Sequence, residues 1–191
     1  MDYLVLVDKF NPVDIKLYNS LELTEVQGKL VEVQAGRQLR MLLSRAQEEG
    51  IRLKIISAYR SFDYQQMLWE REVSREMWSG LDYDSAIAKV ARTLALPGSS
   101  EHNTGLAVDI GCEGYNDVSD DFYRTKESRW LCAHAAQYGF ILRYPRLKEQ
   151  ITGIDFEPWH YRYVGSEAAK LISDGGLCLE EFLHFYSEKY I

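Results

Sequence analysis

Residues 106–110 read Leu-Ala-Val-Asp-Ile, an apolar run suited to a short buried strand, with the carboxylate of Asp109 set between Val108 and Ile110. A carboxylate folded into such a strand is costly unless it is paired or bound to a metal. Whatever fold the chain adopts must therefore bring a cation to Asp109. Seven positions earlier stands His102. On a straight strand an odd offset sends two side chains to opposite faces. The intervening Asn103-Thr104-Gly105 is turn-prone, and a bend there lets both groups reach one point.

A second element, Glu157-Pro158-Trp159-His160, enters the last strand expected in the chain. Two histidines and one carboxylate suit catalytic zinc, because three protein ligands leave a fourth position for water. With His102, Asp109 and His160 as ligands the site stays net positive, so it acidifies a bound water and polarises a carbonyl. Glu157 lies close to His160 without having to be a ligand. It can take the proton of the attacking water and return it to a leaving amine. Alone, each residue has a plainer reading: His102 in a surface turn, Asp109 paired with an arginine, Glu157 solvated, His160 satisfied in a core. Those readings weaken together, because each has to hold independently. His134 and His184 fall on predicted helices without matching carboxylates and are read as structural.

The third element is Ser57-Ala58-Tyr59-Arg60-Ser61-Phe62-Asp63-Tyr64-Gln65, where a strand runs into a helix. Arg60 at that junction presents a planar fork of donors suited to a carboxylate or a developing oxyanion. A surface ion pair is the alternative that spacing leaves open. Gln65, one turn into the helix, offers an amide donor, with Gln66 as its rival.

Around these elements the pattern predicts an α+β domain with a small, mostly antiparallel sheet flanked by helices. Residues 1–34 read as an irregular lead-in with short strands and a turn at Gln27-Gly28. Helical spacing runs from Gly36 to Gly50, and residues 51–57 alternate as a strand. Asp63 is placed to cap a helix through Trp78, and further helices are expected over 83–94, 128–138 and 180–189. The last of these should turn Phe182, Leu183, Phe185 and Tyr186 inward. Strands are expected over 140–144, stopped by Pro145, and over 159–164. The acidic, turn-rich stretch within 112–128 reads as a mobile rim.

The 191 residues suit a single domain, with 46% hydrophobic and 27% charged residues. A net charge of -7 argues against nucleic acid, since no basic stripe is available for phosphates. No stretch approaches a membrane span, and the opening residues lack a signal-peptide pattern, so a cytoplasmic protein is the simplest expectation, with an extracellular or membrane-anchored one as the alternative if the sequence is trimmed of an anchor. Cys112, Cys132 and Cys178 are too widely spaced for a sulfur-ligated zinc site and read as buried free thiols.

Three blocks taken in order, Ser57 to Ser61 with Gln65, Ser100-Glu101-His102 through Asp109, and Glu157 to His160, resemble the VanY-type D-alanyl-D-alanine carboxypeptidase family. That family also includes the bifunctional VanXY-type D,D-peptidases of vancomycin resistance. Residues 139–145, 151–154 and 4–9 resemble it too, so the likeness spans nearly the whole chain. It implies a hedgehog-type D,D-peptidase fold over 1–191 and one zinc ion on His102, Asp109 and His160. It also implies Glu157 as catalytic base, Arg60 as anchor for the tetrahedral intermediate or the substrate, and Gln65 and Ser100 as substrate contacts. The implied substrate is a peptidoglycan-precursor peptide ending in D-Ala-D-Ala, which loses its terminal D-Ala. Relatives differ in taking the dipeptide, the pentapeptide or both, and some cut an L,D bond, so dipeptidase, bifunctional and L,D-carboxypeptidase activities stand as alternatives. The non-enzymatic alternatives are a zinc-stabilised module that binds cell-wall peptides and a hedgehog-like scaffold. Glu157 and Arg60 beside three ligands favour an enzyme.

Overall fold

The computed structural model describes residues 2–114 and 118–190, with side chains described as far as residue 186. The lead-in forms a short helix, α1 (Ile15–Asn19), and a hairpin of β1 (Leu23–Val26) and β2 (Lys29–Glu32). Gln27 and Gly28 close that hairpin with φ of 48° and 76°. Two positive φ values match the twist of the flanking strands, which makes this the favoured two-residue turn. Helix α2 (Val33–Glu48) buries Leu39, Leu42 and Ala46, as its spacing predicts. Next come β3 (Leu53–Ser57), α3 (Phe62–Trp78), α4 (Tyr83–Val90), β4 (Ala107–Cys112) and α5 (Lys126–His134). The chain continues through β5 (Phe140–Leu142), α6 (Glu149–Thr152), β6 (His160–Tyr163), α7 (Ser166–Gly175) and α8 (Leu179–Tyr190).

Four strands make one sheet in the order β3-β4-β6-β5, with each neighbouring pair antiparallel. The expected α+β class with a small antiparallel sheet is what forms. Its two faces divide the labour. Val108 and Ile110 of β4, with Tyr161 and Tyr163 of β6, enter the main core against α2 and α5. The alternate residues turn to the other face: Ala107 and Asp109 on β4 pair with Arg162 and His160 on β6. The β3 register shifts between Ile55 and Ser57, so Ser57 sits opposite Asp109. Because the side-chain period is two, this register keeps Asp109 and His160 on one face.

A second cluster packs α7 and α8 around Ile141, and a third joins α3 and α4 through Trp69, Val73, Ala86 and Val90. Several expectations require correction. Ser61, not Asp63, caps α3, its side chain accepting from Tyr64 N at 3.1 Å, while Asp63 lies in the first turn. The helix expected over 83–94 stops at Val90, and that over 128–138 runs as α5 to His134 and then tightens to a 3₁₀ turn before Gly139. In α8, Phe182 is buried but Phe185 is 67% exposed, because it falls off the apolar stripe. Cys132 is exposed, while Cys112 and Cys178 are buried. Helix α7 is not anticipated by the sequence reading. Part of the expected rim, residues 115–117, lies outside the described residues. The rest of it holds a short 3₁₀ turn, Asp120–Arg124, and the start of α5.

Candidate active site

His102 sits in a 3₁₀ turn, Glu101–Thr104, that ends at Gly105 with φ 71°. The left-handed glycine reverses the chain into β4, which is how an offset of seven residues delivers both side chains to one place. The turn is fastened to the β3–α3 junction: Arg60 N donates to His102 O at 3.1 Å, and Asn103 Nδ2 donates to Arg60 O at 2.7 Å. His102 Nε2 lies 3.3 Å from Asp109 Oδ2. From β6, His160 Nδ1 lies 3.2 Å from Asp109 Oδ1. One ligand atom from each of the three residues falls within 4.8 Å of the others, and all three residues are buried.

Several features fit this set to a metal ion. His102 Nε2 and His160 Nδ1 approach opposite oxygens of Asp109, at 3.3 and 3.2 Å, so the carboxylate stands between the two rings as a shared ligand of one small ion would. Asp109 Oδ1 is fully buried yet accepts no hydrogen bond, so its close approach to His160 lacks hydrogen-bond geometry and leaves a lone pair pointing into the cluster. His102 Nδ1 is 2.7 Å from Ala58 O. A carbonyl only accepts, so His102 carries its proton on Nδ1 and offers Nε2 to the cluster.

Glu157 approaches from the turn before β6, with Oε2 3.6 Å from His160 Nδ1. Its backbone N donates to Tyr144 O at 3.1 Å, and its carbonyl accepts from His160 N at 3.2 Å. Burial pushes the Glu157 carboxyl up to about 8, and the carboxylates of Asp109 and Glu101 push the same way. Burial also pulls His102 down to about 4, helped by Arg60. For His160 burial acts downward as well, but the carboxylates of Asp109, Glu101 and Glu157 close to the ring reverse it and hold the ring at about 9. Three buried ionisable groups in one small site thus differ widely in proton affinity, a pattern concentrated at catalytic sites.

Arg60 reaches Asp109 Oδ2 through Nη2 at 2.8 Å, Ser57 Oγ through Nε at 3.0 Å and Gln65 Oε1 through Nη1 at 3.4 Å. Gln65 is buried and donates to Ala95 O at 2.8 Å, whereas Gln66 is exposed and bonds Glu70. Of the two candidates, Gln65 is the one at the site. Ser100 is buried at the start of the His102 turn, its carbonyl accepting from Asn103 N at 3.0 Å. His134 stays outside: its ring stacks on Trp130 and its Nδ1 lies 2.8 Å from Trp130 O. His184 is exposed beside Phe185.

Sequence reasoning missed Glu101, Arg143 and Arg162. Glu101 Oε1 accepts from Arg143 Nε and Arg162 Nη1, each at 2.7 Å, and Oε2 lies 3.4 Å from His160 Nε2. The available signal was the one that exposed Asp109. Arg143 stands in the apolar run 140–144 and Arg162 in 159–164, where a charge needs a buried partner.

Comparison with known proteins agrees with this geometry. The chain is 38% identical over 181 residues to a D-alanyl-D-alanine carboxypeptidase of Enterococcus faecalis, covering 95% of this chain but 65% of that relative's length. Among solved structures, VanYB in complex with D-alanine-D-alanine superposes with a TM-score of 0.85 at 37% identity, covering 95% of this chain and 97% of that one. A mutant of VanY, the vancomycin-resistance D,D-pentapeptidase from the VanB-type cassette, in complex with Zn(II), also gives 0.85, at 36% identity, 96% and 99%. Residues 28–166 match the family model described as VanY, D-alanyl-D-alanine carboxypeptidase. With the fold, the buried donor set and these matches in agreement, the chain belongs to the VanY family of D-alanyl-D-alanine carboxypeptidases.

Proposed function

We propose that this chain is a zinc-dependent D,D-carboxypeptidase that hydrolyses the last peptide bond of peptidoglycan-precursor peptides ending in D-Ala-D-Ala. One observation carries the reading: a ligand atom from each of His102, Asp109 and His160 converges within 4.8 Å of the others, with Glu157 Oε2 3.6 Å from His160 Nδ1. The related VanY structures with Zn(II) and with D-alanine-D-alanine support the choice of metal and substrate.

In this reading His102, Asp109 and His160 hold one zinc ion, which supplies Lewis-acid polarisation of the scissile carbonyl and acidification of water. Glu157 is the general base. Burial lifts its carboxyl to about 8, and a cation bound beside it lowers it again toward the ionised form that a base requires. It accepts the proton of the attacking water while a C–O bond forms at the penultimate carbonyl carbon. It then gives that proton to the nitrogen of the departing D-Ala as the C–N bond breaks. Arg60 supplies fixed donors for the substrate carboxylate or the developing oxyanion. Ser57 and Gln65 hold its fork in place at 3.0 and 3.4 Å. Gln65 and Ser100 are both buried, so in this reading they act on the peptide indirectly, Gln65 through Arg60 and Ser100 through the His102 turn.

The test is D-Ala release from D-Ala-D-Ala and from a pentapeptide by zinc-loaded protein, compared with Glu157→Gln. Wild type should release D-Ala, and the variant should bind zinc yet lose about 10²–10⁴-fold in rate. Stoichiometric zinc without any D-Ala release by wild type refutes the D,D-peptidase reading. Equal rates in the two proteins remove Glu157 from its role.

A further inference from the structure

Glu101 lies directly before a ligand in sequence, but its side chain turns toward a different one. Its carboxylate is completely buried, as are the side chains of Arg143 and Arg162 that bind it. Oε1 accepts from both guanidinium groups at 2.7 Å, leaving Oε2 to face His160 Nε2 at 3.4 Å. The arginines are anchored on their far sides. Arg143 makes a two-pronged pair with Glu180 of α8 at 2.7 and 2.9 Å, and Arg162 donates to the carbonyls of Tyr3 and Val5 at 3.1 and 2.8 Å. The carboxylate is held from three directions and has no freedom to turn away from His160.

We propose that Glu101 is the positioning residue of the metal centre, fixing the His160 ring as the Nε2–H tautomer so that Nδ1 presents its lone pair to the ion. An ionised carboxylate is acceptor-only, so the nitrogen facing it must carry the hydrogen. The two histidines are then locked in opposite tautomers by different means. His102 has its proton on Nδ1 because a backbone carbonyl, Ala58 O, faces it. His160 has its proton on Nε2 because Glu101 faces it. Only the second lock can be reversed by one isosteric change. In Glu101→Gln the amide oxygen must serve the two guanidinium donors, which turns the amide NH₂ toward His160. The ring then has to accept at Nε2 and protonate Nδ1, removing the lone pair that the metal needs.

This inference rests on the zinc reading above, and one set of measurements separates their failures. In zinc-loaded wild type, long-range ¹H–¹⁵N correlations of labelled histidine should show His102 protonated at Nδ1 and His160 at Nε2. In Glu101→Gln, zinc affinity should fall about 10–100-fold, and the zinc-free variant should show His160 protonated at Nδ1 and unprotonated at Nε2. Glu180→Gln is the control. It removes a carboxylate from the same network without touching His160, so it should hold zinc within about threefold, well under a tenfold step. In zinc-loaded wild type, a His160 protonated at Nδ1 overturns the proposal without any variant, even if Glu101→Gln does not fold. So does a folded Glu101→Gln that binds zinc as tightly as wild type, or a Glu180→Gln with an equal loss. Wild type that takes up no zinc at all refutes the metal reading itself.

Discussion

Asp109 shows how one buried charge organises its neighbours. Burial alone would raise its carboxyl, but His102, His160 and Arg60 more than reverse that and keep it ionised. Glu101 follows the same rule, with Arg143 and Arg162 overcoming the burial. The thiols obey the burial argument without any compensating cation. Burial pushes Cys178 up to about 11, which leaves on the order of one thiolate per thousand molecules near pH 8. Cys112 is raised for the same reason, while Cys132 is exposed. Iodoacetamide added to native protein near pH 8 should therefore label Cys132 first, with Cys112 and Cys178 reacting only on unfolding. Mass spectrometry showing all three modified at one rate in native protein would contradict this. At this scale the sequence was informative about the ligands, because a carboxylate inside an apolar strand stands out by itself. The thiols were less legible. Cys132 sits in a helical stretch whose face toward solvent depends on packing.

Among the elements, the turn before β4 has the least latitude. Gly105 holds φ 71°, and a Cβ there would meet Glu32 N and Leu23 Cδ2, each at 3.0 Å. The glycine serves two ends, reversing the chain and letting the hairpin strand β2 approach, with Glu32 N donating to Gly105 O at 2.9 Å. A left-handed alanine costs roughly 1–2 kcal/mol before any clash. Gly105→Ala should thus lower stability by at least about 1 kcal/mol and also weaken zinc binding, since the turn sets His102 against Asp109. Urea unfolding and zinc titration check the two parts. A variant that keeps wild-type stability would mean the turn relaxes freely. The turn itself was readable from Asn103-Thr104-Gly105, and so was the helical spacing of α2. Helix ends were less so: Ser61 and Asp63 are both competent caps, and the geometry of the β3–α3 junction chose between them.

On the scale of the whole molecule, the sheet separates an apolar core on one face from a charged layer on the other. That layer ties both ends of the chain to the site. Arg162 holds the carbonyls of Tyr3 and Val5, and Arg143 holds Glu180 of α8. Among the described residues no helix is long and apolar enough to cross a membrane. Because the folded Glu101 carboxyl sits below its unfolded value, its contribution to stability is fully present above the unfolded pKa of about 4.3. That contribution is lost as pH falls below this value toward the folded pKa. The stability gap between wild type and Glu101→Gln, measured by urea unfolding of the zinc-free proteins, should be constant near neutrality and shrink below about pH 4.5. A gap that stays constant into acid would show that Glu101 gains nothing from being ionised.

The sequence by itself determined that Asp109 would be buried and in need of a cation, that a turn would precede it, and that helices would flank a small sheet. Those conclusions depend on neighbours within a few residues, where periodicity, turn chemistry and the cost of burying charge all operate. The tertiary structure alone decided which cation met which anion. Asp109 faces His160 because β4 and β6 pair in that register, and it faces Ser57 because of the irregularity in β3. Glu101 reaches across to His160, Arg143 and Arg162, 42 to 61 positions away in sequence. Such pairings are set by strand order and register, and a charge's partner cannot be read from its own surroundings in the chain.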